Sequence, residues 1–256
     1  MGFTNYPNGL TSLGSPLPDG GRYSSPWATH YFVAGDNGSD SSAGTDPAND
    51  FLTIQKACTT ALAGDVIYIR PKSYTLGTGF ARYTEDVVIA QGGTAGSGST
   101  ATRAGISLIG VTPRGMPSDF LGVRWKFTTN TNLNIEAPAT HIEGIGFFAE
   151  ASTAAVHIET DGATRSKGGT DGSSLYNCAI KGDPGITANG GNEVQIVNCR
   201  FQAKFDGTVS GINYTGSSNA VSRPLIQGCE FIGGNANNMS GPPIQGAAPW
   251  YDAIIR

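Results

Sequence analysis

The sequence predicts an all-β protein built from many short strands, and three observations carry the prediction. Glycine and proline are abundant, with 37 and 14 residues, while only 14% of residues are charged; this balance suits strands joined by tight turns better than helical bundles. A short phrase, apolar-x-[Asn/Gly]-[Cys/Ile]-x-apolar, recurs four times, and only one segment carries a confident helical rhythm. A repeat or all-β chain of 256 residues commonly forms one domain around one sizeable core.

Taken in order, residues 1–28 are dense in Gly, Pro, Ser and Asn and show no periodicity, which predicts an extended N-terminal arm. Phe3, Tyr6, Leu10 and Leu13 make that arm too apolar for an idle linker, and they are the expected contacts with another chain. Residues 29–75 form a second region. There Tyr31–Val33 reads as a strand, and the polar loop GDNGSDSSAGTDP follows. In FLTIQKACTTAL the apolar residues Phe51, Ile54, Ala57, Cys58 and Ala61 keep helical spacing. Asn49 or Asp50 is the expected N-cap, Gly64 the stop, and VIYIR after Asp65 a strand ended by Pro71. Residues 76–256 hold the repeats.

The order "YFV…DNGSDSSAGTDP…FLTIQKA…AGDVIYIRP" resembles the N-terminal entrance of right-handed parallel β-helix proteins of the pectin-lyase-like superfamily, over roughly residues 29 to 256. The resemblance implies a right-handed, single-stranded parallel β-helix whose open end is capped by the short α-helix Phe51–Leu62. In such a coil each turn stacks about 4.8 Å above the last, so matching slots form columns.

The four phrases align as HIEGIGF, SLYNCAI, QIVNCRF and LIQGCEF. They give inward columns Ile142/Leu175/Ile196/Ile226, Ile145/Cys178/Cys199/Cys229 and Phe147/Ile180/Phe201/Phe231. The corner column Gly144/Asn177/Asn198/Gly228 holds the residue types that best tolerate a left-handed backbone. AAVHIET, PGITANG, SGINYTG and WYDAIIR each follow a phrase and read as the next strand of the same turn. The segments between them, such as TDGATRSKGGTDG, read as surface loops.

Charge and motifs narrow the function. The net charge of −4 and the lack of Lys/Arg runs speak against nucleic acid. The N-terminus MGFTNYPNGL has no basic-then-apolar leader, and Tyr6 stands where a myristoylation signal wants Ser or Thr. No apolar run reaches a membrane span, and the sequons at Asn37, Asn213 and Asn238 say little in a chain rich in these residues. The four cysteines lack metal spacing and read as buried free thiols, which fits a reducing cytoplasm. Asp36, Asn37, Asp40 and Asp46 offer oxygen ligands, yet the loop lacks the EF-hand pattern and reads as a hydrogen-bonded turn. Neither a metal nor a cofactor is expected.

Catalysis is not expected either. The outward slots Glu143/Tyr176/Val197/Gln227 and Gly146/Ala179/Arg200/Glu230 place no two acids on neighbouring coils, and Arg200 with Glu230 reads as a cross-strand ion pair. His30, His141 and His157 stand outside any Ser/Asp or Cys pattern. The arm opening GFTNYPNGLTSLGSPL, joined to the helix-capped coil, resembles a group of tailed-bacteriophage virion proteins that act as head-decoration or minor structural proteins. That resemblance implies a non-enzymatic homotrimer, assembled in the host cytoplasm, which clamps major capsid protein subunits on the virion. The alternatives are a tailspike-type glycan hydrolase or lyase acting on bacterial surface polysaccharide, and a surface-glycan-binding adhesin without turnover. WYDAIIR leaves Ile254 and Ile255 without a following cap, so a further segment or another subunit is expected to cover that end.

Overall fold

The computed structural model describes residues 11–12, 15–16, 28–75, 79–89, 105–111, 122–127, 133–149, 154–159, 172–189, 193–203, 211–214, 221–232, 242–246, 250–251 and 254–255. The chain winds as a parallel β-helix with three faces. The first face stacks His30–Val33, Val66–Ile69, Ser107–Gly110, His141–Glu143, Ser174–Tyr176, Gln195–Val197, Leu225–Gln227 and Ile254–Ile255 in chain order. The second stacks Val123–Phe127, Ile145–Ala149, Ala179–Gly182, Arg200–Ala203 and Glu230–Ile232. The third stacks Val87–Ile89, Leu133–Ile135, Val156–Glu159, Ile186–Asn189, Ile212–Tyr214 and Ile244–Gly246. From Ser107 to Gly246 each turn visits the three faces once, and every pairing along these stacks is parallel.

The columns read from the sequence are the observed register. Ile142, Leu175, Ile196 and Ile226 pair in succession, as do Phe147, Ile180, Phe201 and Phe231. Upstream the first column continues through Leu108 and Ile67 to Tyr31, and Trp125 lies beneath Phe147. These side chains fill the interior as apolar layers, because a strand that faces the core of a narrow coil on one side has no water there to solvate polar groups. The corner residues Gly144, Asn177, Asn198 and Gly228 have φ of 69°, 51°, 52° and 62°, the left-handed region where Gly and Asn carry the least steric penalty. A Cβ on Gly228 would lie 2.3 Å from the Asn198 side-chain oxygen below it, so a larger residue at that step would require the Asn198 amide to move.

Three expectations need correction. The helix spans Ile54–Thr60, and its N-cap is Thr53, whose hydroxyl accepts from Lys56 N–H; it ends at Ala61, before Gly64. Phe51 is not helical: it bridges Val33 in a parallel pair and stacks on Tyr31. The glycine-rich loop before it wraps this ring, which leaves no room for a Cβ at Gly44, 2.2 Å from the Phe51 ring. WYDAIIR is not the closing strand of the fourth turn. Ile244–Gly246 takes that place against Ile212–Tyr214, and Ile254–Ile255 begins the next turn on Leu225 and Ile226. A period-two apolar pattern fits either slot, so spacing alone did not separate them.

The helix packs on the strands His30–Val33, Val66–Ile69 and Val87–Ile89, the first and last of which end their faces. Ile54, Ala57 and Cys58 are buried there. Glu85 holds it in place, its carboxylate accepting from Ile54 and Gln55 N–H at 2.9 Å each, which satisfies first-turn donors that the helix leaves without partners. At the far end Ile254 and Ile255 are 45% and 56% exposed. No helix among the described residues is long and apolar enough to cross a membrane.

Candidate functional site

The interior is filled by apolar layers, so polar chemistry sits on the outward slots. On the first face one outward column runs Ser107, His141, Ser174, Gln195, Leu225 and its neighbour runs Ile109, Glu143, Tyr176, Val197, Gln227. Where these columns cross the fourth and fifth strands of this face, four side chains form one hydrogen-bonded chain. Asn177 Nδ2 donates to Glu143 Oε1 at 3.1 Å, Glu143 Oε2 lies 3.4 Å from His141 Nε2, and His141 Nδ1 lies 2.8 Å from Ser174 Oγ.

The proton positions follow from the partners. An ionised carboxylate only accepts, so His141 Nε2 carries the hydrogen that faces Glu143, and in the neutral tautomer this leaves Nδ1 to accept from the Ser174 hydroxyl. The ring is packed against Tyr176, centroids 5.3 Å apart, and is only 5% exposed; Ser174 at its outer edge is half-buried. Tyr176 Oη donates to Gln195 Oε1 at 2.7 Å. That bond fixes the Gln195 amide on the strand that follows Ser174, on the side away from His141. The arrangement therefore holds a hydroxyl on one side of an imidazole and a carboxylate on the other. Chemically these are a nucleophile, a base and a group that orients the base.

The expectation that His141 has no Ser or acidic partner is thus corrected. Its partners are two residues along its own strand and one coil away, 33 residues later, and a coil pitch of variable length hides such a pair from sequence spacing. The signal was present in the aligned phrases: the slot before Ile142, Leu175 and Ile196 reads His, Ser, Gln. His30 instead packs edge-on against Tyr68 at 5.7 Å, and burial lowers its pKa. The side chain of His157 lies outside those described.

The second face is of a different character. Its outward slots carry Arg124 and Lys126, Lys181, and Arg200, with Arg82 on the segment that bridges Trp125 through Tyr83. Arg82 and Arg124 bracket the Phe148 ring at 5.5 and 5.1 Å, within range of cation–π attraction. A chain without Lys/Arg runs thus gathers cations on one face by stacking. The expected Arg200–Glu230 pair is present at 3.3 Å.

The carboxylates of the loop 35–47 are engaged by donors of the chain itself. Asp40 accepts from Leu52 and Thr53 N–H at 3.0 Å each and from the Thr53 hydroxyl at 2.9 Å, and Asp46 closes a turn on Ala48 N–H at 2.8 Å. Cys178, Cys199 and Cys229 stack as free thiols on backbone carbonyls of their own and the preceding coil, and burial raises the Cys199 and Cys229 pKa. Phe3, Tyr6, Leu10 and Leu13, the expected partner contacts, lie outside the described residues. Within the arm, Thr11–Ser12 and Ser15–Pro16 pair antiparallel with each other, so this stretch is not uniformly extended.

No family model matches the chain, and no curated protein matches it either. Among solved structures it is similar to a rhamnogalacturonan lyase, with a TM-score of 0.32 and 12% identity, over 86% of this chain and 62% of that one. The chain therefore spans less than two thirds of that structure. That solved chain is an enzyme, which runs against the expectation of a non-enzymatic protein, and the likeness assigns no activity to this one.

Proposed function

We propose that the chain is a virion protein of a tailed bacteriophage that sits on the capsid as a homotrimer, anchored to the major capsid protein through its N-terminal arm. One observation supports this reading above the others: the place where the chain enters the coil. Residues 28–33 lead into the terminal strand of the first face, at the end where the helix packs, so the chain enters the stack from that end. The paired strands Thr11–Ser12 and Ser15–Pro16 form their own two-stranded sheet, not joined to the three faces. A rigid, densely layered coil with an apolar lead at one end is suited to standing on a shell.

The test is to delete residues 2–20 and follow occupancy on particles that lack the native protein. Loss of binding with unchanged circular dichroism is the expected result. Full occupancy of the truncated chain would move the docking surface to the coil. Light scattering of the intact chain at micromolar concentration tests the trimer, and a stable monomer would refute it.

A further inference from the structure

We propose that Ser174, His141 and Glu143 form an acyl-transfer site on the first face, with the Gln195 amide as oxyanion donor, that hydrolyses short acyl esters such as acetyl esters. The grouping is not demanded by stacking. In the same two slots the neighbouring coils carry Ser107 and Leu225, and Ile109 and Val197. A sheet that accepts Ile and Val where Glu143 stands, and Leu where His141 stands, has no structural need for a histidine with both ring nitrogens engaged. Removing an imidazole and a carboxylate from water is costly unless each finds partners, and here each partner also has a role in the chemistry.

The steps follow from the atoms in place. The Ser174 Oγ attacks the ester carbonyl carbon as its proton passes to His141 Nδ1, and the imidazolium is held by Glu143 through Nε2–H. The oxyanion that forms faces Gln195, whose amide oxygen is engaged by Tyr176 Oη, leaving the NH2 group as donor. Collapse expels the alcohol, which takes the proton from Nδ1. Water then attacks the acyl-serine, gives its proton to Nδ1, and releases the carboxylic acid with the Ser174 hydroxyl restored. Asn177 restrains the far oxygen of Glu143 and so sets the ring orientation. The acyl group must be small, because the space beneath Ser174 is filled by Ile142, Leu175 and Ile196, all fully buried. A long chain would find no interior channel there.

The test uses the full chain with 4-nitrophenyl acetate as probe. A burst of nitrophenolate with one acetyl group located on Ser174 by peptide mass spectrometry is expected. Ser174→Ala should abolish both, and Glu143→Gln should slow turnover by about 10²- to 10⁴-fold through loss of the oriented base. Glu230→Gln, on the second face, should leave the rate unchanged. Circular dichroism establishes that each variant is folded; if Ser174→Ala does not fold, labelling of wild-type Ser174 by a fluorophosphonate, lost in Glu143→Gln, serves instead. Turnover in Ser174→Ala equal to wild type, or no label on Ser174, would overturn the proposal. Neither outcome bears on the capsid reading, which is tested by particle occupancy.

Discussion

Replacing Phe201 by Ala probes the layered interior most directly. Phe201 is 1% exposed and lies between Ile180 on the preceding coil and Phe231 on the next, stacked on the latter at 4.9 Å with an angle of 9°. The rings also press on the third face: a Cβ on Gly211 would lie 2.7 Å from Phe231 and 3.2 Å from the Phe201 Cβ. Loss of the buried ring removes roughly 1.5–3 kcal/mol of transfer free energy. The cavity left between two filled layers raises the total to about 3–5 kcal/mol, since parallel strands on either side cannot close over it. Phe231 is only half-buried, so Phe231→Ala should destabilise by about half as much. Urea unfolding followed by circular dichroism and tryptophan fluorescence gives both values. Equal losses at the two positions, or less than about 1 kcal/mol at Phe201, would refute the idea that each coil is a sealed layer.

Tyr83→Phe should cost about 1–3 kcal/mol in thermal or urea unfolding, because the hydroxyl accepts from Gly35 N–H at 3.0 Å and donates to Arg70 C=O at 2.8 Å, and both groups would lose their partner. Glu85 has a raised pKa, chiefly from burial and against the opposing pull of two backbone N–H groups. Its protonated form is therefore favoured by folding, and wild type should gain stability relative to Glu85→Gln as pH falls from neutrality through the raised value toward the ordinary glutamate range; a difference that is flat or grows with pH would contradict this. Among the three stacked thiols, the half-buried Cys229 should react first with iodoacetamide, while Cys178 and Cys199 react only as fast as the coil opens, as read by peptide mass spectrometry.

The coil was legible because its core obeys a strict rule that its surface does not. The inward slots must be apolar and the corners must tolerate positive φ, so Ile142, Cys178, Phe201 and Asn198 appear in the text as a repeated phrase, and the register follows from aligning it. Helix boundaries were harder to place. Phe51 has helical spacing to Ile54 and Cys58, yet the ring is drawn into a β-bridge under the glycine loop, a tertiary contact that periodicity does not encode. The same limit applies to WYDAIIR, where alternation fitted two faces equally well.

The outward slots behave differently, and this is why the candidate site was missed. Because the core columns and the backbone ladders hold the coils together, a side chain on the outer surface depends strongly on residues one pitch away. His141 meets Ser174 across a loop of arbitrary length, and Arg82 and Arg124 meet at Phe148 for the same reason. Loop length can therefore change without moving either grouping, since the strand register is fixed by the buried slots beside them. A reading that first aligns the phrases and then compares the slots between the apolar ones would place His141, Ser174 and Gln195 in one column before any coordinates are known.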